Sequence, residues 1–166
     1  MRQLTLGVGF AGLVLSGAIF GFFYAWVCST MWGLDAADPR VAMAAMQAMN
    51  ASVRNAVFAP AFFGTGPVLL MAGALAYLAQ NRPAAFWFAS AGALYIFGGM
   101  ILTMAVNVPM NEALGATSVP EDIEAAREIW TAYSETWQVY NQIRTVVSGL
   151  TLLAAGVGIY NLGRLK

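Results

Sequence analysis

The stretch LTLGVGFAGLVLSGAIFGFFYAWVCSTMWGL, Leu4 to Leu34, contains no charged side chain. At about 1.5 Å of rise per residue it outreaches the ~30 Å hydrocarbon core of a bilayer, where a helix satisfies every backbone amide internally. Arg2 precedes it in the manner of a secretory leader. The apolar run is far longer than the roughly 7 to 15 residues of a leader core, so it reads as a retained span. Three more stretches are of the same kind: Ala56 to Ala79, Ala84 to Val106, and Thr145 to Leu162. The expectation is an all-α protein, an integral membrane four-helix bundle formed by residues 1–166 as one domain.

Composition agrees, since 60% of the chain is apolar and 10% charged, against about 25% charge in a soluble domain. Eight basic and eight acidic side chains balance, so net charge offers no attraction to nucleic acid. The chain has no histidine and a single cysteine, Cys28. That excludes histidine-ligated zinc or haem, Ser-His-Asp and Cys-His chemistry, and an intrachain disulfide.

Charge placement says more than charge total. Arg2, Arg82, Arg164 and Lys166 fall at the termini and the connection between the second and third spans. Asp35, Asp38, Glu112, Glu121, Asp122, Glu124, Glu128 and Glu135 all fall on the other side. The positive-inside rule then predicts cytoplasmic N and C termini in the inner (plasma) membrane, with the two long connections facing outward. Trp26, Trp32, Tyr77, Trp87 and Tyr160 lie near span ends, where amphipathic rings settle among headgroups.

Between the first two spans, Asp38-Pro39 has the form of a helix start. Met43, Met46, Met49, Asn50 and Val53 follow at helical spacing, an amphipathic segment whose stripe reads as packing and which is expected to run on through Arg54 and Asn55. Pro60 and Pro67 then interrupt the second span, which implies either a cavity in its outward half or a simple kink. Pro109 biases Val108 toward extended backbone, leaving Asn107 and Asn111 at the mouth of the bundle with free amides. Ser118-Val119-Pro120-Glu121 is a capping box that opens a long extended fourth helix, running to about Leu162 and projecting from the membrane. One face of it carries Trp130, Tyr133, Trp137, Asn141, Arg144 and Ser148, and Glu121, Glu124, Glu128 and Glu135 form the opposite, solvated face. Arg144 within a membrane costs about 2.5 to 3.5 kcal/mol and marks a candidate site, the alternative being an arginine that snorkels to headgroups. Gly17-x-x-x-Gly21 permits close helix approach, inside the bundle or across a homodimer.

Asn107-Val108-Pro109-Met110-Asn111-Glu112-Ala113-Leu114, followed by Trp137-x-x-x-Asn141-x-x-Arg144-Thr145, resembles the paired signature of the anthrone oxygenase-like family of small membrane proteins. Met49-Asn50 and Phe62-Phe63-Gly64-Thr65 resemble its second-span region. The resemblance implies a four-span fold and site residues Asn107, Asn111, Trp137, Asn141 and Arg144. It also implies oxidation of polyketide anthrones to anthraquinones by molecular oxygen. One departure is Gln142, where family members often carry histidine.

The first functional reading is therefore an oxidoreductase for a flat, lipophilic phenolic substrate. Arg144 and Asn141 would act at the reacting atoms, and Asn50, Arg54, Asn107, Asn111, Trp130, Tyr133 and Trp137 would bind. The second is a haem b protein with electron-transfer or sensing duties, its iron held by Asn107, Asn111 or Asn141 or by one of nine methionines. A transporter or structural tetraspan is the third, disfavoured because no acid lies within a span. Reporter fusions after Asn81 and after Ala116 check the orientation. The first is expected to report cytoplasm and the second the outside, and the reverse pattern refutes it.

Overall fold

The computed structural model describes residues 1–164, so Lys166 of the basic cluster lies outside the described residues. Four helices are long and apolar enough to cross a membrane: α1 (Arg2–Asp35), α3 (Phe58–Leu78), α4 (Arg82–Ala116) and α5 (Ile123–Arg164). The extra helix α2 (Pro39–Ser52) precedes the second span. In sequence order α1, α3, α4 and α5 run up and down, and α1–α3, α3–α4, α4–α5 and α5–α1 all pack together, closing a square bundle. Apolar side chains cover its outside, among them Val14, Phe97, Val146 and Leu153, as lipid contact requires.

Small residues let the helices approach at the end that holds the termini, where Ala72, Ala76, Ala84 and Ala91 are wholly buried. A Cβ on Gly73 would stand 3.1 Å from the Ala89 nitrogen and 3.3 Å from the Ala85 carbonyl oxygen, so α3 and α4 touch backbone to backbone there. Gly17 and Gly21 do not serve this purpose. Gly21 faces open space and Gly17 meets only the end of Leu152 at 3.9 Å; the α1 glycines pressed against neighbours are Gly9 and Gly12. The Asn81 side chain caps α4 through the Ala84 amide and also donates to the Asn161 carbonyl, fixing the short α3–α4 turn against α5.

At the opposite end α2 lies over the projecting part of α5, and Met43 and Met46 pack with Met31, Leu114, Trp130 and Trp137. Asp38 caps α2 as the sequence predicts. Hydrogen bonding from Arg40 holds the Asp38 carboxyl down at about 2, so the cap stays charged at neutral and mildly acidic pH.

Three local expectations fail, each for a physical reason. First, α2 does not run on into the second span. It stops at Ser52, and Asn55 caps α3 instead by accepting from the Val57 and Phe58 amides at 2.8 and 2.9 Å. Pro60 thereby falls in the first turn of α3, where its missing N–H is harmless. Second, Val108 is helical, with φ −64° and ψ −50°. Two wide π-turns, Ile96–Ile101 and Thr103–Asn107, precede it and put Pro109 in the first turn of a fresh α-helical stretch. Third, Ser118 caps nothing: residues 117–122 are irregular, and Asp122 accepts from the Ala125 amide, so α5 starts at Ile123. Asp caps as well as Ser, and it stands past the proline.

Two substitutions test this packing by thermal unfolding in detergent. Gly73→Val should lower stability by about 1 to 3 kcal/mol through overpacking. Gln80→Gly should raise it by up to about 1 kcal/mol, since Gln80 ends α3 in the left-handed region at φ 60°.

Candidate functional site

The exposed face of α5 changes character between Glu135 and Val139, from carboxylates to Val139, Ile143 and Val146. That change marks the water line, and Arg144 lies about 8 Å below it at 1.5 Å per residue. Its side chain turns into the bundle and is 4% exposed, so it does not snorkel.

Four groups hold the guanidinium. Nε donates to Asn141 Oδ1 at 3.0 Å, and Nη1 donates to Thr103 Oγ1 at 3.4 Å. The carbon Cζ stands over the rings of Phe23 at 4.4 Å and Trp137 at 4.9 Å. Two such cation–π faces contribute about 0.5 to 2 kcal/mol each and offset much of the insertion cost. Asn141 is itself held, because its Nδ2 donates to the Phe23 carbonyl of α1 at 3.2 Å. Among the described residues, no acid pairs with Arg144; the ion pairs are Arg40–Asp38, Arg54–Glu112 and Arg127–Glu124. The guanidinium has five N–H donors, and the two bonds above leave the others for a ligand.

Arg144 borders a cavity of about 570 Å³, within the roughly 300 to 1,000 Å³ common for small-molecule sites. Aromatic side chains dominate its wall: Phe22, Phe23 and Trp26 from α1, Phe58, Phe62 and Phe63 from α3, and Trp137 from α5. Thr103, Met104 and Asn111 line it from α4, and Met49 and Asn50 from α2. At its outer rim Arg54 Nη2 and Glu112 Oε1 are 3.1 Å apart, both well exposed.

Of the residues expected at the site, Asn50, Arg54, Asn111, Trp137 and Arg144 line this cavity, whereas Asn107, Trp130, Tyr133 and Asn141 do not. The latter act behind the wall. Tyr133 Oη and Trp137 Nε1 both donate to Asn111 Oδ1, at 2.8 and 2.9 Å, and Asn50 Nδ2 donates to Tyr133 at 3.4 Å. The Asn111 carbonyl is therefore occupied, whereas its Nδ2 makes no hydrogen bond among the described residues. Trp130 Nε1 and Ser134 Oγ donate to Asp35 Oδ1, and Gln138 Nε2 donates to Asp35 Oδ2, which ties the top of α5 to the top of α1. Asn107 is not at a mouth at all: it is fully buried, and neither amide atom has a partner among the described residues.

The sequence reading missed the α1 wall. Trp26 packs on Trp137 at 5.2 Å between ring centroids and lines the cavity. Its signal was the Phe22-Phe23-x-x-Trp26 spacing, which puts aromatic rings on adjoining faces of one helix. Thr103, Asn107 and Asn111, four residues apart, were a second missed signal for a polar seam on α4. Gln142 is exposed on the outside of the bundle and does not line the cavity.

A haem iron would need an axial ligand in the cavity. Of the asparagines expected as ligands, Asn107 and Asn141 do not line the cavity and the Asn111 oxygen already accepts twice; Met49 and Met104 are the thioethers on the wall. Among the described residues, no group of three or more Cys, Asp or Glu side chains converges as a metal site.

A comparison with known families matches the anthrone oxygenase model over residues 55–154, more than half of the chain. The matched region takes in α3, α4 and α5 down to Ala154, and leaves out α1 and α2. No curated protein and no solved structure matches.

The wiring around the two α4 asparagines gives opposite expectations. Asn111→Leu strands the Tyr133 and Trp137 donors and should lower stability by about 1 to 3 kcal/mol. Asn107→Leu removes an unpartnered buried amide and should leave thermal unfolding unchanged or raise its midpoint. Equal losses in both variants would contradict the assignment.

Proposed function

The chain belongs to the anthrone oxygenase family, and on that premise we propose that it is a membrane oxidoreductase acting on a flat, lipophilic, phenolic substrate with molecular oxygen. One observation carries the reading: a buried guanidinium with no acidic partner among the described residues borders an aromatic-walled cavity of substrate size. A fixed cation in a dry site is complementary to an anion, and aromatic walls suit a planar ring system.

The net reaction converts a ring methylene and one O₂ into a ring carbonyl and one water. Loss of a methylene proton gives an enolate whose negative oxygen faces Arg144. The enolate carbon then gives its electron pair to O₂, forming the new carbon–oxygen bond, and the peroxide takes up a proton. Loss of the remaining C–H proton with cleavage of the O–O bond leaves the ring carbonyl and hydroxide, which a proton converts to water. The departing proton passes to water at the rim, where Glu112 is the single acid among the cavity-lining residues. Arg144 supplies the oxyanion contact, and Asn141 and Thr103 keep its fork aimed. Phe23 and Trp137 clamp its face and shield it from water. The same proposal sets both termini on the cytoplasmic side, so that the cavity opens in the outer half of the membrane.

A charge-assisted hydrogen bond to the developing enolate contributes about 1.5 to 3 kcal/mol, or roughly one to two decades in rate. Arg144→Met should lose that factor in oxygen uptake with an anthrone substrate, measured where spontaneous oxidation is slow. Arg144→Lys keeps the charge without the planar fork and should recover part of it. Arg144→Met rates equal to wild type would refute the catalytic assignment.

A further inference from the structure

A second cavity, of about 470 Å³, lies between α1 and α3. It shares Phe22, Trp26, Met49, Val53, Asn55 and Phe58 with the aromatic cavity, so these six side chains are the partition between the two. Its remaining wall includes Ala18 and Ile19 of α1 and Val57 and Ala61 at the start of α3.

Depth decides what this second cavity faces. The 21 residues of α3 are about 31 Å long, which matches the hydrocarbon thickness. Phe58 and Ala61, at its outer end, therefore sit at the outer edge of the acyl zone. Ala18 is exposed there, and Val57 is 88% exposed although apolar. These apolar parts of the wall suit lipid, and the exposed Ser52 and Asn55 give the cleft a polar lip. The partition itself is apolar where it matters: the Phe22 and Phe58 rings meet at 4.9 Å between centroids, and no hydrogen bond joins α1 to α3 among the described side chains of this cleft. Turning either ring forfeits only dispersion contacts. The outer rim of the aromatic cavity differs, because passage there means parting the Arg54–Glu112 ion pair and stripping water from a lipophile's polar group.

We propose that the α1–α3 cleft is the membrane-side entrance to the aromatic cavity, admitting a flat, uncharged lipophile from the outer half of the bilayer, with Phe22 and Phe58 as its gate. This rests on the aromatic cavity being the substrate site. The cleft offers no cation, so a phenolic ligand crosses it protonated and meets its counter-charge only at Arg144. Lipid tails are as apolar as the cleft, so the entrance governs how fast a ligand arrives and leaves, not how tightly it binds.

The experiment uses the full chain in phospholipid nanodiscs and 1-hydroxyanthraquinone as probe, with binding followed by quenching of tryptophan fluorescence in stopped flow. Ala18→Phe combined with Ala61→Phe fills the cleft and should slow association and dissociation together by about tenfold or more, with Kd held within about twofold. Phe22→Ala opens the gate and should speed both rates, which keeps the test decisive if the filled variant fails to fold. Wild-type rates in the filled variant, or in Phe22→Ala, overturn the entrance. So does a change in rates on Arg54→Gln alone, which would make the aqueous rim the route. Failure of the underlying reading looks different: the probe would not bind the wild type, or would bind Arg144→Met equally well, and the entrance would fall with it.

Discussion

A guanidinium held below the water line, with no carboxylate beside it among the described residues, is the constraint on which the rest of this structure turns. Charge at that depth survives only where the protein supplies what water would have supplied. Here the supply comes from every neighbouring span. Phe23 of α1 and Trp137 of α5 cover the faces of Arg144, Thr103 of α4 meets one edge, and Asn141, tied to the α1 backbone, meets the other. None of these neutralises the charge. A charge held in this way meets the electrostatic condition for the proposed binding of a ligand that becomes anionic.

The projecting end of the molecule follows from the need to keep that region dry and in register. The long α5 would otherwise stand free in water, and α2 covers it with the buried thioethers of Met43 and Met46. Asp35 fastens the tops of α1 and α5 through three donors, and Asn111 fixes Tyr133 and Trp137 through two more. Trp137 is thus held at its nitrogen while its ring face meets Arg144. The neutral hydrogen bonds that Asn111 accepts from Tyr133 and Trp137 thereby set the geometry of a charge deeper in the bundle. Asn107 stands apart, a buried amide without a partner in the middle of the α4 seam between Thr103 and Asn111.

Much of this was legible in the chain because it rests on one-dimensional signals. Runs without charge announce the spans, Asp38-Pro39 announces α2, and the 100° spacing from Trp130 to Ser148 announces the inward face of α5, all of which the structure bears. The failures share a cause: local rules were applied where a neighbour's geometry decided. Pro109 does not extend Val108, because π-turns that no propensity scale anticipates reset the helix before it. Ser118 yields to Asp122 as the cap, and Asn55 breaks a helix that periodicity alone would continue. At the site, helical facing told which residues point inward but not which of them reach a void. Trp130, Tyr133 and Asn141 point inward and are spent on other side chains, while Phe22 and Phe23 of an otherwise uniform apolar span form much of the wall.

The central claim is that Arg144 offers its charge to a ligand oxygen inside the aromatic cavity, and the titration of a bound phenol measures this without any turnover. The hydroxyl of 1-hydroxyanthraquinone changes the visible spectrum when it ionises, so its pKa is read directly in nanodiscs. A charge-assisted bond of about 1.5 to 3 kcal/mol to the anion lowers that pKa by roughly one to two units. The wild type should show the lowered value and Arg144→Met should not. A bound phenol whose pKa in the wild type is unchanged, or raised as burial alone would raise it, contradicts the account.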